Sequence, residues 1–280
     1  MNPIAWARNF LSHRPLPAED RRRLAEEAAT DQADRWVPGT PLSQTRNAHY
    51  TNTPAELEQG LRSDANWLEG DIGREWGIRK LPWIGRFQQP IMAHDPYDVD
   101  GLSLDEWLAI GVASGKGLKL DFKSSSGLAE ILDKVEACGL PDESLMFNSD
   151  VIAGPGSPRI KGPLVRFFQD RGFDLAQLQE IRSRFPEAVL SLGCLTGKQP
   201  PGTRYGPGEL EKLKDFAVQV GGPINFPLRA EFVDASVVSA LKPYGTVSIW
   251  NDPDTFKPTP EDVLRFRAMG VDGVIDLRSS

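Results

Sequence analysis

A chain of 280 residues with 40% hydrophobic and 25% charged side chains describes an ordinary globular protein of one or two domains with a full core. Its net charge of −7 argues against nucleic acid as a partner, because a phosphate backbone calls for a basic surface. Two cysteines, Cys138 and Cys194, are too few for a disulfide framework and are expected as buried free thiols.

Residues 1–42 read as a helical N-terminal extension, with helices expected over Pro3–Leu11 and over the charge-rich Ala18–Ala29 before Pro38, Gly39 and Pro41 end the segment. The opening MNPIAWARNFLSHR has neither an early basic region nor a long apolar run, so no signal peptide is expected. No window approaches the ~18 apolar residues of a membrane helix. A cytoplasmic protein without an integral membrane segment is the expectation.

From residue 43 to residue 280, short apolar strands alternate with amphipathic helices. Strands are predicted over Thr45–His49, Trp67–Ile72, Pro90–His94, Gly117–Phe122, Leu145–Asn148, Ala188–Leu192, Pro223–Asn225, Thr246–Trp250 and Gly273–Leu277. Helices are predicted over Pro54–Ser63, Ser103–Val112, Gly127–Cys138, Asp174–Phe185, Pro207–Val220, Asp234–Leu241 and Pro260–Met269. Thr53 with Glu56, and Ser103 with Glu106, have capping-box spacing. Such alternation implies parallel strands joined by right-handed crossovers. No Gly-rich phosphate loop follows the first strand, which weakens a doubly wound nucleotide-binding sheet. Eight repeats, with an extra strand at Pro90–His94, favour an α/β fold of the (β/α)8 TIM-like barrel type. The Pro/Gly-rich segments Gly154–Pro163 and Thr196–Gly208 read as loops at its mouth.

Two stretches break the usual polar-out pattern. In WLEGDI, Glu69 and Asp71 alternate with Leu68, Gly70 and Ile72; in GLKLDFKS, Lys119, Asp121 and Lys123 alternate with Leu118, Leu120 and Phe122. Side chains two apart on a strand share a face, so these charges point one way, against the apolar set. Burying them is costly unless they are paired or bind a metal. In a barrel the strand C-termini converge on one mouth, where Asn47, His49, Glu69, Asp71, His94, Asp121, Lys123, Asn148, Asn225, Trp250 and Asp276 would gather. Glu69, Asp71 and Asp121 offer hard oxygen donors suited to Mg²⁺ or Ca²⁺ rather than Zn²⁺. His49 and His94 could act as general base and general acid. Lys123 would add positive charge beside a phosphoryl group. Taken singly, the residues also admit plain readings: an internal ion pair of Asp121 with Lys119 or Lys123, structural histidines, turn-forming Asn148 and Asn225, and a core-capping Trp250.

The stretches NAHYTNT, WLEGDI, PIMAHDP, LSLDEWL and KGLKLDFK, in this order, resemble the menorin-like domain family. That family is similar in turn to the phospholipase-C-like phosphodiesterase barrels, which include glycerophosphodiester phosphodiesterases and sphingomyelinase D. The resemblance runs from about Arg46 to Leu277 in element order, with its specific motifs before Ser125. It implies that His49 and His94, the latter followed by Asp95, form the acid–base couple. It also implies that Glu69, Asp71 and Asp121 are ligands of a divalent cation, and that Trp250 matches a Trp of sphingomyelinase D. The implied activity is metal-dependent cleavage, as hydrolase or lyase, of a small-molecule or lipid-like phosphodiester, with Lys123 and Asn148 holding a non-bridging oxygen. Two departures stand out: His49-Tyr50-Thr51 where glycerophosphodiesterases carry His-Arg-Gly, and Asp121 where they carry Glu. The competing expectations are a non-catalytic barrel binding a ligand or protein through the same site, and a glycoside hydrolase working with two carboxylates.

Overall fold

The computed structural model describes residues 16–30, 34–74, 90–94, 100–157, 172–200 and 202–278. They belong to two compact units, one formed by Met1–Trp36 with Asn47–Leu140 and the other by Val37–Arg46 with Pro141–Ser280.

In the first unit the described elements are α1 (Ala18–Thr30), β1 (Asn47–Ala48), α2 (Pro54–Arg62), β2 (Trp67–Arg74), β3 (Pro90–Met92), α3 (Leu104–Ser114), β4 (Gly117–Phe122) and α4 (Leu128–Ala137). Strand β2 lies between β1 and β4, parallel to both. The expected capping boxes start two of the helices: the Thr53 and Ser103 hydroxyls accept from the Glu56 and Glu106 amides, and those carboxylates reach back. Helix α3 ends at Gly115, whose φ of 66° is open to glycine without a Cβ penalty. Helix α1 buries Leu24 and Ala28 and packs on α3. The Leu16 amide donates to Glu106 Oε1 at 2.8 Å. The helix expected over Pro3–Leu11 lies outside the described residues.

The second unit carries β5 (Leu145–Ala153), α5 (Leu175–Arg184), β6 (Val189–Leu195), α6 (Pro207–Val220), β7 (Ile224–Arg229), α7 (Ala235–Leu241), β8 (Thr246–Trp250), α8 (Pro260–Ala268) and β9 (Ile275–Asp276). Each strand from β5 to β9 pairs in parallel with the next. Asp174 with Gln177 and Thr259 with Asp262 form two further capping boxes, at the starts of α5 and α8, neither among those expected, and Asp234 caps α7 with its side chain.

Parallel strands separated by helices in both units make this a fold of the (β/α)8 barrel class. Strand β3 departs from that plan. It runs antiparallel to β2, with Ile72 opposite Met92 and Arg74 opposite Pro90.

Four strands run on past their expected ends; β6, for one, reaches Leu195 rather than Leu192. Strand β2 does not stop at Ile72 but runs to Arg74, because β3 supplies it with partners. Strand β5 continues to Ala153, so Asn148 lies mid-strand rather than at an end. Strand β7 extends past Pro227 to Arg229. A proline inside a strand reads as a stop because it has no N–H to give. Here β6 pairs with β7 only at Ile224 and Asn225, and β8 carries the rest. Asn225 therefore sits near the start of its strand. It is buried, donating to Ser191 Oγ at 2.8 Å and accepting from Ser248 Oγ at 2.6 Å. This is a structural polar ladder across β6, β7 and β8, and the placement of Asn225 at a strand C-terminus is corrected. Both cysteines are free thiols; Cys194 is buried, whereas Cys138 is only half-buried.

Candidate active site

The first unit assembles the charged cluster through one strand pairing. The β2–β4 register sets Glu69 beside Lys119 and Asp71 beside Asp121. The alternate residues Leu68, Leu118, Leu120, Ile72 and Phe122 are buried on the other face, 0–4% exposed, so the apolar set fixes which way the charges point.

Each carboxylate has defined partners. Glu69 Oε2 lies 2.7 Å from His49 Nδ1 and 3.2 Å from Lys119 Nζ, and it also accepts from Asn47 Nδ2. Asp71 is held at two points by Asn52: the amide nitrogen of Asn52 donates to Asp71 Oδ2 at 2.9 Å, and the Asp71 backbone N–H donates to Asn52 Oδ1 at 2.8 Å. Lys123 Nζ bridges Asp71 Oδ1 at 2.9 Å and Asp121 Oδ2 at 2.6 Å.

Burial pushes Glu69 towards neutrality, but the charges of His49 and Lys119 outweigh it and hold its carboxyl well below the usual range. Asp121 is half-buried, and Lys123 outweighs that desolvation and keeps its carboxyl below its ordinary value. For Asp71 burial wins, with the Asp121 charge adding to it, and its carboxyl is raised despite Lys123. Lys123 itself is held firmly charged, because Asp121 and Asp71 outweigh its own desolvation.

One oxygen from each of Glu69, Asp71 and Asp121 falls within a 4.8 Å set. Three carboxylates and no sulfur or nitrogen donor make a hard, all-oxygen site that fits a divalent cation of the Mg²⁺ or Ca²⁺ kind.

The backbone around the cluster is pinned from below. Thr51 donates twice to the Glu69 carbonyl, from its N–H at 2.9 Å and its hydroxyl at 2.8 Å, and the Trp107 indole donates to that hydroxyl at 2.9 Å. Trp107 also closes the space over Gly70, where a Cβ would meet Met92 Cε at 2.2 Å and the indole at 2.9 Å. Met92 can swing away; a fully buried indole cannot. Gly70→Ala is therefore expected to cost about 1–3 kcal/mol in a urea denaturation curve, the range for overpacking a core.

His94 follows β3 and is exposed. The preceding residue ties it to the cluster, since the Ala93 N–H donates to the Asp71 carbonyl at 2.7 Å. Its expected neighbour Asp95 lies outside the described residues. The Tyr50 ring stands 6.1 Å from the His49 ring and 5.5 Å from the His94 ring.

Asn148 and Trp250 belong to the second unit. Asn148 is half-buried in the middle of β5, and Trp250 is the last residue of β8 with the Arg229 guanidinium 5.6 Å from its ring. Arg229 was not foreseen, since its strand was expected to end at Asn225. It is 4% exposed and reaches Glu231 Oε1 at 2.9 Å, Asp252 Oδ2 at 3.0 Å and Thr255 Oγ1 at 2.6 Å. Asn52 and Thr51 were also missed. Only their place within the NAHYTNT stretch hinted at them, because their role is to hold Asp71 and Glu69 across strands.

Residues 42–269 match the Menorin N-terminal domain. The human protein FAM151B is 29% identical over 248 residues, which cover 85% of this chain and 76% of that protein. A proposed glycerophosphodiester phosphodiesterase from Galdieria sulphuraria superimposes with a TM-score of 0.52 at 11% identity, over 89% of this chain and 90% of that one. At that identity the likeness is one of fold. Among the described residues, no helix is long and apolar enough to cross a membrane.

Proposed function

The chain belongs to the Menorin N-terminal domain family, and from that premise we propose that the β2–β4 cluster is the centre of a divalent-metal-dependent phosphodiesterase or phosphodiester lyase. The observation that carries the reading is the grouping of three carboxylate oxygens within 4.8 Å, with a histidine 2.7 Å from one of them and a lysine bridging the other two.

The roles follow from the partners. Glu69, Asp71 and Asp121 would hold Mg²⁺ or Ca²⁺, which when bound polarises phosphoryl oxygens and offsets negative charge. Glu69 orients the His49 ring through Nδ1 and makes the imidazole a stronger proton acceptor towards the reacting group. His94 is the second proton carrier. One imidazole deprotonates the attacking hydroxyl, from water or from the substrate itself; the other protonates the leaving oxygen. Lys123, partly exposed at 30%, is the group able to turn from its two carboxylates to a non-bridging phosphoryl oxygen. The substrate class is a small-molecule or lipid-like phosphodiester.

The test is release of choline, glycerol or p-nitrophenol from a panel of phosphodiesters, with and without EDTA. Turnover that EDTA removes and Mg²⁺ or Ca²⁺ restores is the expected result. A second reading rests on Lys123, whose contacts already satisfy Asp71 and Asp121: a barrel that binds a ligand or protein without turning it over. Metal-dependent thermal stabilisation with no release from any member of the panel would favour it. Turnover indifferent to EDTA would count against both.

A further inference from the structure

Among the described residues, Tyr50 is the one non-glycine residue with a positive φ, at 52°. A left-handed backbone disfavours a residue with a bulky side chain, and it persists where the surroundings impose it. They do so here from both sides. His49 is held by the Glu69 carboxylate, and Thr51 by the Glu69 carbonyl and the Trp107 indole. The chain must pass between these two anchors, and the conformation it takes turns an aromatic ring outward, 38% exposed. Burial of the ring is thus not what maintains the conformation.

The ring meets the two imidazoles. It packs edge-to-face on His94, with an interplanar angle of 69° and centroids 5.5 Å apart, and lies tilted at 45° to His49. His49 has the Glu69 carboxylate to orient it. His94 stands exposed after a short strand, where core packing cannot fix its rotamer. An edge-to-face aromatic contact favours one ring orientation over others.

We propose that Tyr50 is a positioning residue of the acid–base pair, its outward ring setting the orientation of the His94 imidazole through the aromatic face rather than through the hydroxyl. The inference rests on the role assigned to His94 above. The first readout is nonetheless independent of activity.

The chain has three histidines, so their NMR signals can be resolved and assigned in the full-length protein. Tyr50→Gly removes the ring at a backbone position that glycine occupies without cost; Tyr50→Asn is the second variant, since Asn tolerates the same region. Both are expected to fold, with little change in melting temperature. Their His94 signals should change from the split Hα–Hβ couplings of a single rotamer to averaged couplings, a change that loss of the Tyr50 ring current does not by itself produce. On a phosphodiester that the native chain turns over, kcat should fall about 10- to 100-fold, as for a misplaced catalytic group, with KM changed far less. Tyr50→Phe should restore both the split His94 couplings and most of the lost kcat.

His94 couplings that stay split in Tyr50→Gly and Tyr50→Asn would overturn the proposal, whatever the activity. So would native kcat in those variants, or a Tyr50→Phe as defective as Tyr50→Gly. If the native chain turns over no phosphodiester, the functional reading falls, and the NMR signals alone decide whether Tyr50 orients His94.

Discussion

Replacing His94 with alanine is expected to lower phosphodiester turnover by about 10²–10⁴-fold, the contribution typical of a positioned general acid or base. The melting temperature should stay where it was, because His94 is exposed. His49→Ala should be as inactive but less stable. It takes a partner from Glu69, whose side chain is only 8% exposed, and an under-satisfied buried acceptor costs about 1–3 kcal/mol. Release of p-nitrophenol and a urea denaturation curve, run on both variants, separate the two effects. Full turnover in both would sink the acid–base assignment.

The second large effect concerns Lys123. Its ammonium lies between Asp71 and Asp121, which the strand register sets side by side. In Lys123→Met the two carboxylates lose the charge between them; because the lysine is 30% exposed, the cost should fall below the ~3–5 kcal/mol of a fully buried pair. That loss should appear in EDTA at neutral pH. Millimolar Ca²⁺ or Mg²⁺ should recover much of it, since a ligand that binds only the folded state at 100 times its Kd contributes about 2.7 kcal/mol. The pH dependence has a definite sign. Asp71 is already raised above its ordinary value by burial and by Asp121, and removing Lys123 raises it further. A carboxyl whose folded pKa lies above its unfolded one binds protons more tightly when folded. The variant in EDTA should therefore regain stability relative to the native chain as pH falls from neutral towards the ordinary carboxylate range. Denaturation curves at several pH values, with and without metal, give the measurement. A variant as stable as the native chain in EDTA, and indifferent to metal, would show that the three carboxylates do not act as one site.

Much of the candidate site was legible in two short motifs. Alternation in WLEGDI and GLKLDFKS is a local property of an extended backbone, so it showed that Glu69, Asp71, Lys119, Asp121 and Lys123 share a face before any partner strand was known. The capping boxes at Thr53 and Ser103 were legible for the same reason, being contained within four residues. The misplaced elements have non-local causes. Strand β2 outran its expected end because β3, distant in sequence, pairs with it. The apolar run by itself places Asn225 at a strand C-terminus, and only the β8 pairing carries the strand past Pro227 to Arg229. Asn52 gave no sign of its clamp on Asp71, since that clamp spans from the loop after β1 to the middle of β2.

The sequence by itself determined the alternation of strands and helices, the identity of the inward charges and the all-oxygen character of the donors. Each follows from periodicity or side-chain chemistry within a few residues. Tertiary structure alone decided which charge meets which. Sliding β4 by two residues along β2 would keep every side chain on its face, yet it would set Asp71 beside Lys119 or Lys123 instead of Asp121. The difference lies in a register fixed by packing across the strands, which no pattern of period two encodes.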